Sequence, residues 1–600
     1  MTTEDNDAGM RLERLDRLNA NLALVDALSK RLTAAIARRK LADPALSGPG
    51  HDVYMKAATA YVAEMMQNPS KILENQFTYW GKSLKHYVEA QQVLVKGELK
   101  APSDPTPKDR RFANPLWETH PYFNFIKQQY LMNAEAISTA ISGLENLEPH
   151  EKKRIEYFTR QIVDMMSPTN FLATNPDALE RAVQTDGDSL VAGMENLVRD
   201  IESHNGELMV TLADPEAFEV GVNIGTTPGA VVYRNRMLEL IQYSPTTETV
   251  HATPLLIFPP WINKFYILDM KPQNSLIKWI VDQGFTLFVV SWVNPDASYA
   301  EVGMDDYIRD GYLRAMAEVR RITDQPKLNA VGYCIAGTTL TATLAHLQRM
   351  GDKTVNAATF FTTLTDFSDQ GEVGVFLNDD FVDGIERQVK VDGILDKAFM
   401  SRTFSYLRSN DLIYQPAIRS YMLGEQPPAF DLLFWNGDGT NLPAKMAVEY
   451  LRMLCQDDKL ARGEFPVFGE PVRLGDIRTP ICAIACETDH IAAWKGSFNG
   501  IRQFGSKDKT FILSESGHIA GIVNPPSKGK YGHYTNDAPL DTPEAFREGA
   551  TYHPGSWWPL WGKWLAARSG KQVAARIPGD STNPVLCPAP GTYVTAVPSA

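Results

Sequence analysis

A cysteine framed by small residues is the first place where the chain carries recognisable chemistry. In Gly332-Tyr333-Cys334-Ile335-Ala336-Gly337-Thr338 the thiol has glycine two residues before it and alanine two after. Ala330 to Tyr333 reads as a strand, and Thr338 to Met350 reads as a helix with Leu340, Leu344 and Leu347 at helical spacing. A nucleophile on a sharp strand-to-helix turn needs small neighbours because the backbones crowd there. The turn lifts the side chain off the sheet and aims the next backbone N–H, that of Ile335, at the oxyanion of a bound acyl group. The usual form is G-x-S-x-G; here the nucleophile is Cys334, and Ala336 with Gly337 behind it stands for the second glycine. Taken alone, the fragment fits a buried cysteine at a strand end equally well, since free cysteines often serve as small core hydrophobes.

A cysteine nucleophile calls for a base, and the base for an orienting group, in the chain order nucleophile, acid, histidine. The apolar run Pro480 to Ala485 leads into Cys486-Glu487-Thr488-Asp489-His490, and Lys509 to Leu513 leads into Ser514-Glu515-Ser516-Gly517-His518-Ile519-Ala520-Gly521. Both clusters follow strand ends on the edge where open α/β sheets place ligands. His518 is therefore assigned as base and Asp489 as the carboxylate that holds it, with Gly517 and Gly521 giving the loop room. His490 directly follows Asp489, so that carboxylate is poorly placed to hold it, and it reads as a substrate-proximal residue. The second oxyanion donor is expected from Pro259-Pro260-Trp261-Ile262-Asn263-Lys264, after Leu255 to Phe258. The backbone N–H groups of Trp261 and Ile262 are the candidates, because proline cannot donate; Asn263 is a further substrate-proximal candidate. A thiol ionises far more readily than a hydroxyl. If the acyl donor is a thioester, transfer to Cys334 exchanges one thioester for another and leaves the acyl group activated. Cysteine in a hydrolase-type elbow thus favours acyl transfer over ester hydrolysis.

The elements that must position these groups alternate. Ala230 to Tyr233, Leu238 to Tyr243, Pro254 to Phe258, Thr286 to Ser291 and Ala357 to Leu364 read as further strands, with Leu276 to Gln283 as a crossover helix. The expected fold class is α/β: an α/β-hydrolase-type, mainly parallel sheet covered on both faces. Before it, helical patterns at Val53 to Met66, Lys71 to Val95, Tyr122 to Leu144 and Pro149 to Met166, with no convincing strand before about Leu208, predict an all-helical N-terminal domain. The boundaries expected are 1–205 for that domain and 206–600 for the catalytic one. Within the latter, 365–443 breaks the rhythm with many aromatics and turn residues and reads as an inserted lid or cap. Leucines recur among charges from Arg11 to Lys40, ahead of a break at Ser47-Gly48-Pro49-Gly50.

Composition narrows the class. The chain has 600 residues and a formal net charge of -13, which argues against a general nucleic-acid binder. Its acidic, polar start is unlike a secretory signal, and the most apolar stretch, Phe285 to Val293, is too short to span a bilayer. A cytoplasmic protein without a transmembrane segment is expected. Five cysteines, an odd and sparse set, suit free thiols in a reducing compartment. Cys482 and Cys486 read as core residues of one strand rather than metal ligands, and no metal is expected.

Together these motifs resemble a known family. The elbow, Pro260 to Asp269, Ser291-Trp292-Val293-Asn294-Pro295-Asp296, Phe434-Trp435-Asn436-Gly437-Asp438 and Gly517 to Gly521 are similar to polyhydroxyalkanoate synthases of the long, single-component (class I) type. So are Asp109-Arg110-Arg111-Phe112 with Trp117, and Gly555-Ser556-Trp557-Trp558-Pro559. Members carry a G-x-C-x-G elbow, from which Ala336 departs. The resemblance implies an (R)-3-hydroxyacyl-CoA substrate, 3-hydroxybutyryl-CoA being the expected one. It also implies a polyester product with release of CoA, no cofactor beyond the CoA carried by the substrate, association with the growing polyester chain and granule surface, and a homodimer when active. Cys334, Asp489 and His518 carry over as nucleophile, acid and base. Two rivals share the motifs: a thiol-dependent polyester depolymerase or esterase on the same fold, and an inactive granule-surface scaffold, which would have no need of Cys334.

Overall fold

The structure is a computed structural model that describes residues 20–21, 23–38, 46, 55–61, 63, 69–96, 109–144, 147–539 and 541–597. The start of the leucine-patterned stretch, the Gly/Pro break after it and parts of the helix expected over Val53 to Met66 lie outside the described residues. The chain divides into two units, Met1–Asp214 with Arg408–Pro428, and Pro215–Leu407 with Ala429–Ala600.

The first unit is helical. Its main helices are α1 (Pro69–Lys96), α2 (Pro121–Ser142), α3 (Pro149–Met165), α4 (Pro176–Gln184) and α5 (Asp188–Ser203). Proline opens α2, α3 and α4, where its fixed φ suits the first turn and its missing N–H costs nothing. Trp117 is fully buried among Phe112, Phe123 and Tyr130. Arg111 lies beside this cluster, bonded to Asp109 and Asp164 at 2.8 Å each. The Asp109–Trp117 motif is thus this unit's packing anchor.

The insert expected over 365–443 is not one body, because Arg408–Pro428 packs with the helices. The reason lies on α5. A Cβ on Gly193 would stand 2.1 Å from the Tyr421 carbonyl oxygen, so only glycine lets the segment seat there. Asn196 Nδ2 donates to the carbonyls of Ser420 (3.1 Å) and Glu425 (3.0 Å), and the Tyr421 hydroxyl donates to buried Asp200 at 2.7 Å.

The second unit is built on an eleven-stranded sheet. Its strands are β1 (Gly229–Arg234), β2 (Leu238–Tyr243), β3 (Leu255–Phe258), β4 (Leu287–Trp292), β5 (Leu328–Tyr333), β6 (Val355–Phe361), β7 (Ile481–Cys486), β8 (Lys509–Ser514), β9 (His533–Thr535), β10 (Thr551–His553) and β11 (Cys587–Pro588). The spatial order is β10-β9-β8-β7-β6-β5-β3-β4-β2-β1-β11. The six central strands, β8 to β4 in that order, are parallel, and the flanks are antiparallel. β3, β4, β5 and β7 are buried at every residue; β3 and β7 accordingly appear in the sequence as short apolar runs, while β4 and β5 each admit one buried polar residue, Ser291 and Asn329. Cys482 and Cys486 are both fully buried in β7, where burial raises their thiol pKa values. Among the described residues no strand precedes Gly229 and no helix is long and apolar enough to cross a membrane.

Candidate active site

The register of the parallel strands brings their C-terminal ends to one edge. Phe258 pairs with Gly332, Tyr333 with Phe361, Phe361 with Ile484, and Cys486 with Ser514. The loops after β3, β5, β7 and β8 therefore leave the sheet side by side, and they carry Trp261–Asn263, Cys334, Asp489–His490 and His518.

Cys334 sits between β5 and helix α6 (Ile335–Arg349) with φ 55° and ψ -128°. A non-glycine residue there costs about 1–3 kcal/mol, and the surroundings must hold it. Its N–H donates to the Phe361 carbonyl (2.8 Å) and its carbonyl accepts from Gly337 N (2.9 Å). Crowding fixes the small residues. A Cβ on Gly332 would lie 2.5 Å from Gly337 Cα, and one on Gly337 would lie 2.0 Å from Thr363 Oγ1. Residue 336 is buried but tolerates its methyl group, and its carbonyl accepts from the Tyr312 hydroxyl at 2.8 Å. The departure at Ala336 is thus harmless, because the glycine this turn needs is Gly337. Gly337→Ala is expected to destabilise the fold by about 1–3 kcal/mol through overpacking, read as a lower urea midpoint. Adding Thr363→Ala should recover part of the loss; a single variant as stable as the parent would contradict the crowding.

His518 and Asp489 meet as the sequence suggested. His518 Nδ1 donates to Asp489 Oδ2 at 2.7 Å, and the ring lies near enough to Cys334 for that residue to influence its protonation. Asp489 Oδ1 accepts the backbone N–H groups of Ile491 (2.8 Å) and Ala492 (2.9 Å), so the carboxylate is fixed on both oxygens. Both side chains are buried, whereas Cys334 is half-exposed. Burial works against a charged imidazole here. The Asp489 carboxylate, the hydrogen bond to it and the nearby Cys334 outweigh it and raise the His518 pKa well above its ordinary value. Tyr333 stacks on the His518 ring, with centroids 5.9 Å apart, a support that the sequence did not reveal.

The His518 loop is pinned from behind. Trp557 Nε1 donates to the Gly521 carbonyl (2.7 Å), Trp558 Nε1 to the Ile522 carbonyl (2.9 Å), and Ser514 Oγ to the Gly521 carbonyl (3.0 Å). A Cβ on Gly521 would meet Cys486 Sγ at 2.4 Å. Gly517 is not crowded, and the left-handed residue of the turn is Ser516, at φ 75°. His490 is half-exposed, and its backbone packs against Gly371.

Ile335 is the first residue of α6, where N–H groups have no intrahelical acceptor. Trp261 is fully buried, its indole donating to Thr339 Oγ1 at 3.2 Å on α6 and its ring set edge-on to Tyr450. The Ile262 carbonyl accepts from Thr440 N (2.8 Å), and Asn263 bridges Gly439. The loop after β3 is therefore tied both to the elbow helix and to the return of the insert. The Phe434–Asp438 motif supplies part of that tie, a role that depends on partners distant in sequence.

A thiol on the elbow, an imidazole and a carboxylate thus gather at one sheet edge, a set of groups suited to holding an acyl group on sulfur. Comparison with known proteins gives the family. A family model described as "Poly-beta-hydroxybutyrate polymerase (PhaC) N-terminus" matches residues 108–280, and one described as "alpha/beta hydrolase fold" matches residues 254–525. The chain is 40% identical over 545 residues to a poly(3-hydroxyalkanoate) polymerase of Methylorubrum extorquens, covering 90% of each chain. It is 40% identical to the polymerase subunit PhaC of Rhizobium etli, over 88% of this chain and 82% of the relative. It is also 40% identical to that of Cupriavidus necator, over 86% and 87%. At that identity over that much of its length, the chain belongs to the poly(3-hydroxyalkanoate) polymerases, acyltransferases on an α/β-hydrolase fold.

Proposed function

We propose that this enzyme polymerises (R)-3-hydroxyacyl-CoA, with 3-hydroxybutyryl-CoA as the substrate read from the sequence, through a thioester on Cys334. The observation that carries the reading is the partly buried cysteine on a strained elbow, close to an imidazole that Asp489 holds. His518 takes the thiol proton as sulfur attacks the carbonyl carbon of the CoA thioester. The oxyanion is met by the N–H of Ile335 and by N–H groups of the loop at Trp261 and Ile262. Collapse breaks the bond to CoA sulfur, and the imidazolium returns its proton to that leaving group, so one free thiol appears for each acyl group bound. Chain growth then needs the 3-hydroxyl of one acyl unit to lose its proton and attack another thioester; His518, backed by Asp489, is the base for that step too. The reaction so written draws on no cofactor beyond the CoA of the substrate. Asn263 and His490 are read as substrate-proximal, and the parts of the insert in this unit, Thr365–Leu407 and Ala429–Pro443, as a cover over the thiol. The setting is cytoplasmic, at the surface of an insoluble polyester granule, with a homodimer as the active form.

The test is to incubate purified enzyme with 3-hydroxybutyryl-CoA and follow free thiol and turbidity together. Both should rise in step. Thiol release with soluble hydroxy acid and no turbidity would assign a hydrolase instead.

A further inference from the structure

The last stretch of the insert, Trp435–Asn441, fastens the loop after β3. Trp435 Nε1 donates to the Lys264 carbonyl (2.8 Å) and Thr440 N to the Ile262 carbonyl (2.8 Å); at the loop's other end Trp292 Nε1 donates to the Pro259 carbonyl (2.8 Å). Asp438 closes the clasp. Its Oδ1 lies 2.7 Å from Lys264 Nζ, and its Oδ2 accepts from the Tyr266 hydroxyl at 2.8 Å. Tyr266 is fully buried, and the Lys264 side chain is only 11% exposed. Burial lowers the pKa of that ammonium, with Asp438 opposing the effect and Lys397 adding to it. A buried cation with one close carboxylate holds its position, since leaving it would strand a charge.

A loop held at Pro259, Ile262 and Lys264 has little freedom to turn the amides of Trp261 and Ile262 between those points. We infer that Asp438 is a positioning residue for acyl transfer: it locks the loop after β3 so that these amides face the oxyanion, and so couples the seating of the insert's return stretch to turnover. The inference rests on the reading of Cys334 as acyl acceptor. An asparagine at 438 keeps the volume but leaves Lys264 without its counter-charge, whereas glutamate keeps the charge on a longer arm.

The experiment compares steady-state turnover of 3-hydroxybutyryl-CoA with alkylation of Cys334 by iodoacetamide. Alkylation needs the thiol and His518 but builds no oxyanion. Asp438→Asn should lower kcat by about 10- to 100-fold, the scale of a misplaced catalytic group, with KM little changed and the alkylation rate at the parent value. Asp438→Glu should recover part of kcat. Tyr266→Phe, which removes one bond of the clasp and keeps the ring, should give a smaller loss and decides the matter if Asp438→Asn does not fold. A parent-like kcat in the folded variant, or kcat and alkylation falling together, would overturn the positioning role. A Cys334→Ala control separates the two claims. If that control still turns over, the acyl-acceptor reading has failed; if it is dead while Asp438→Asn is normal, only the positioning role has.

Discussion

Cys334→Ala should abolish CoA release while leaving the fold intact. The elbow already selects small residues at 332 and 337, and losing Sγ adds no atom to that crowded turn. Alanine accepts the φ of 55° at a cost similar to that for cysteine, so the thermal midpoint should stay close to the parent's. The expected loss in turnover is on the order of 10⁶-fold, the scale seen when the nucleophile of a hydrogen-bonded triad is removed. Cys334→Ser should also fall by orders of magnitude, because a hydroxyl is far harder to ionise and the oxoester it forms is a poor donor. Near-normal polymer from the alanine variant, measured as thiol release and turbidity, would remove Cys334 from the chemistry.

Asp489→Asn should separate acylation from elongation. The carboxylate heads the charges that raise the His518 pKa, so its loss lets the imidazole shed its proton at lower pH. A less basic imidazole is a weaker acceptor for the thiol proton, so alkylation of Cys334 should slow. His518→Ala removes the base itself and should cost about 10²–10⁴-fold in acylation, whereas His490→Ala, off the Asp489–His518 axis, should be much milder. In Asp489→Asn the cysteine still needs less help than an alcohol to react. We therefore expect a burst of about one CoA per site, followed by a stall in chain growth. Rapid-quench measurement decides: a slowed burst with no separate stall would assign Asp489 to thiol activation alone.

Much of this site was legible because the central strands are parallel and buried. Such strands must be short apolar runs, so β3, β5, β7 and β8 stood out, and the polar clusters directly after them could be placed on one edge. The pairing of His518 with Asp489 rather than with a nearer group followed from chain order and from His490 being too close to be held. What stayed hidden depends on tertiary partners. The short antiparallel strands β9, β10 and β11 carry no periodic signal over two or three residues. Nothing local reveals that Tyr421 fills the space left by Gly193, so the insert's middle was assigned to the lid instead of to the helical unit. The sequence points to Gly517 and Gly521 together for room in the His518 loop; only Gly521 is close-packed, and the residue in the left-handed conformation is Ser516. The Asp438 clasp needed Lys264 and Tyr266, more than 170 residues earlier, brought beside it.

The most direct measurement is the mass of the enzyme quenched in acid within the first turnover of 3-hydroxybutyryl-CoA. One 3-hydroxybutyryl group should appear on the peptide that contains Cys334, at the rate of the first CoA released, and hydroxylamine should remove it as it removes a thioester. Release of CoA with the Cys334 peptide unmodified throughout would contradict covalent transfer through this thiol.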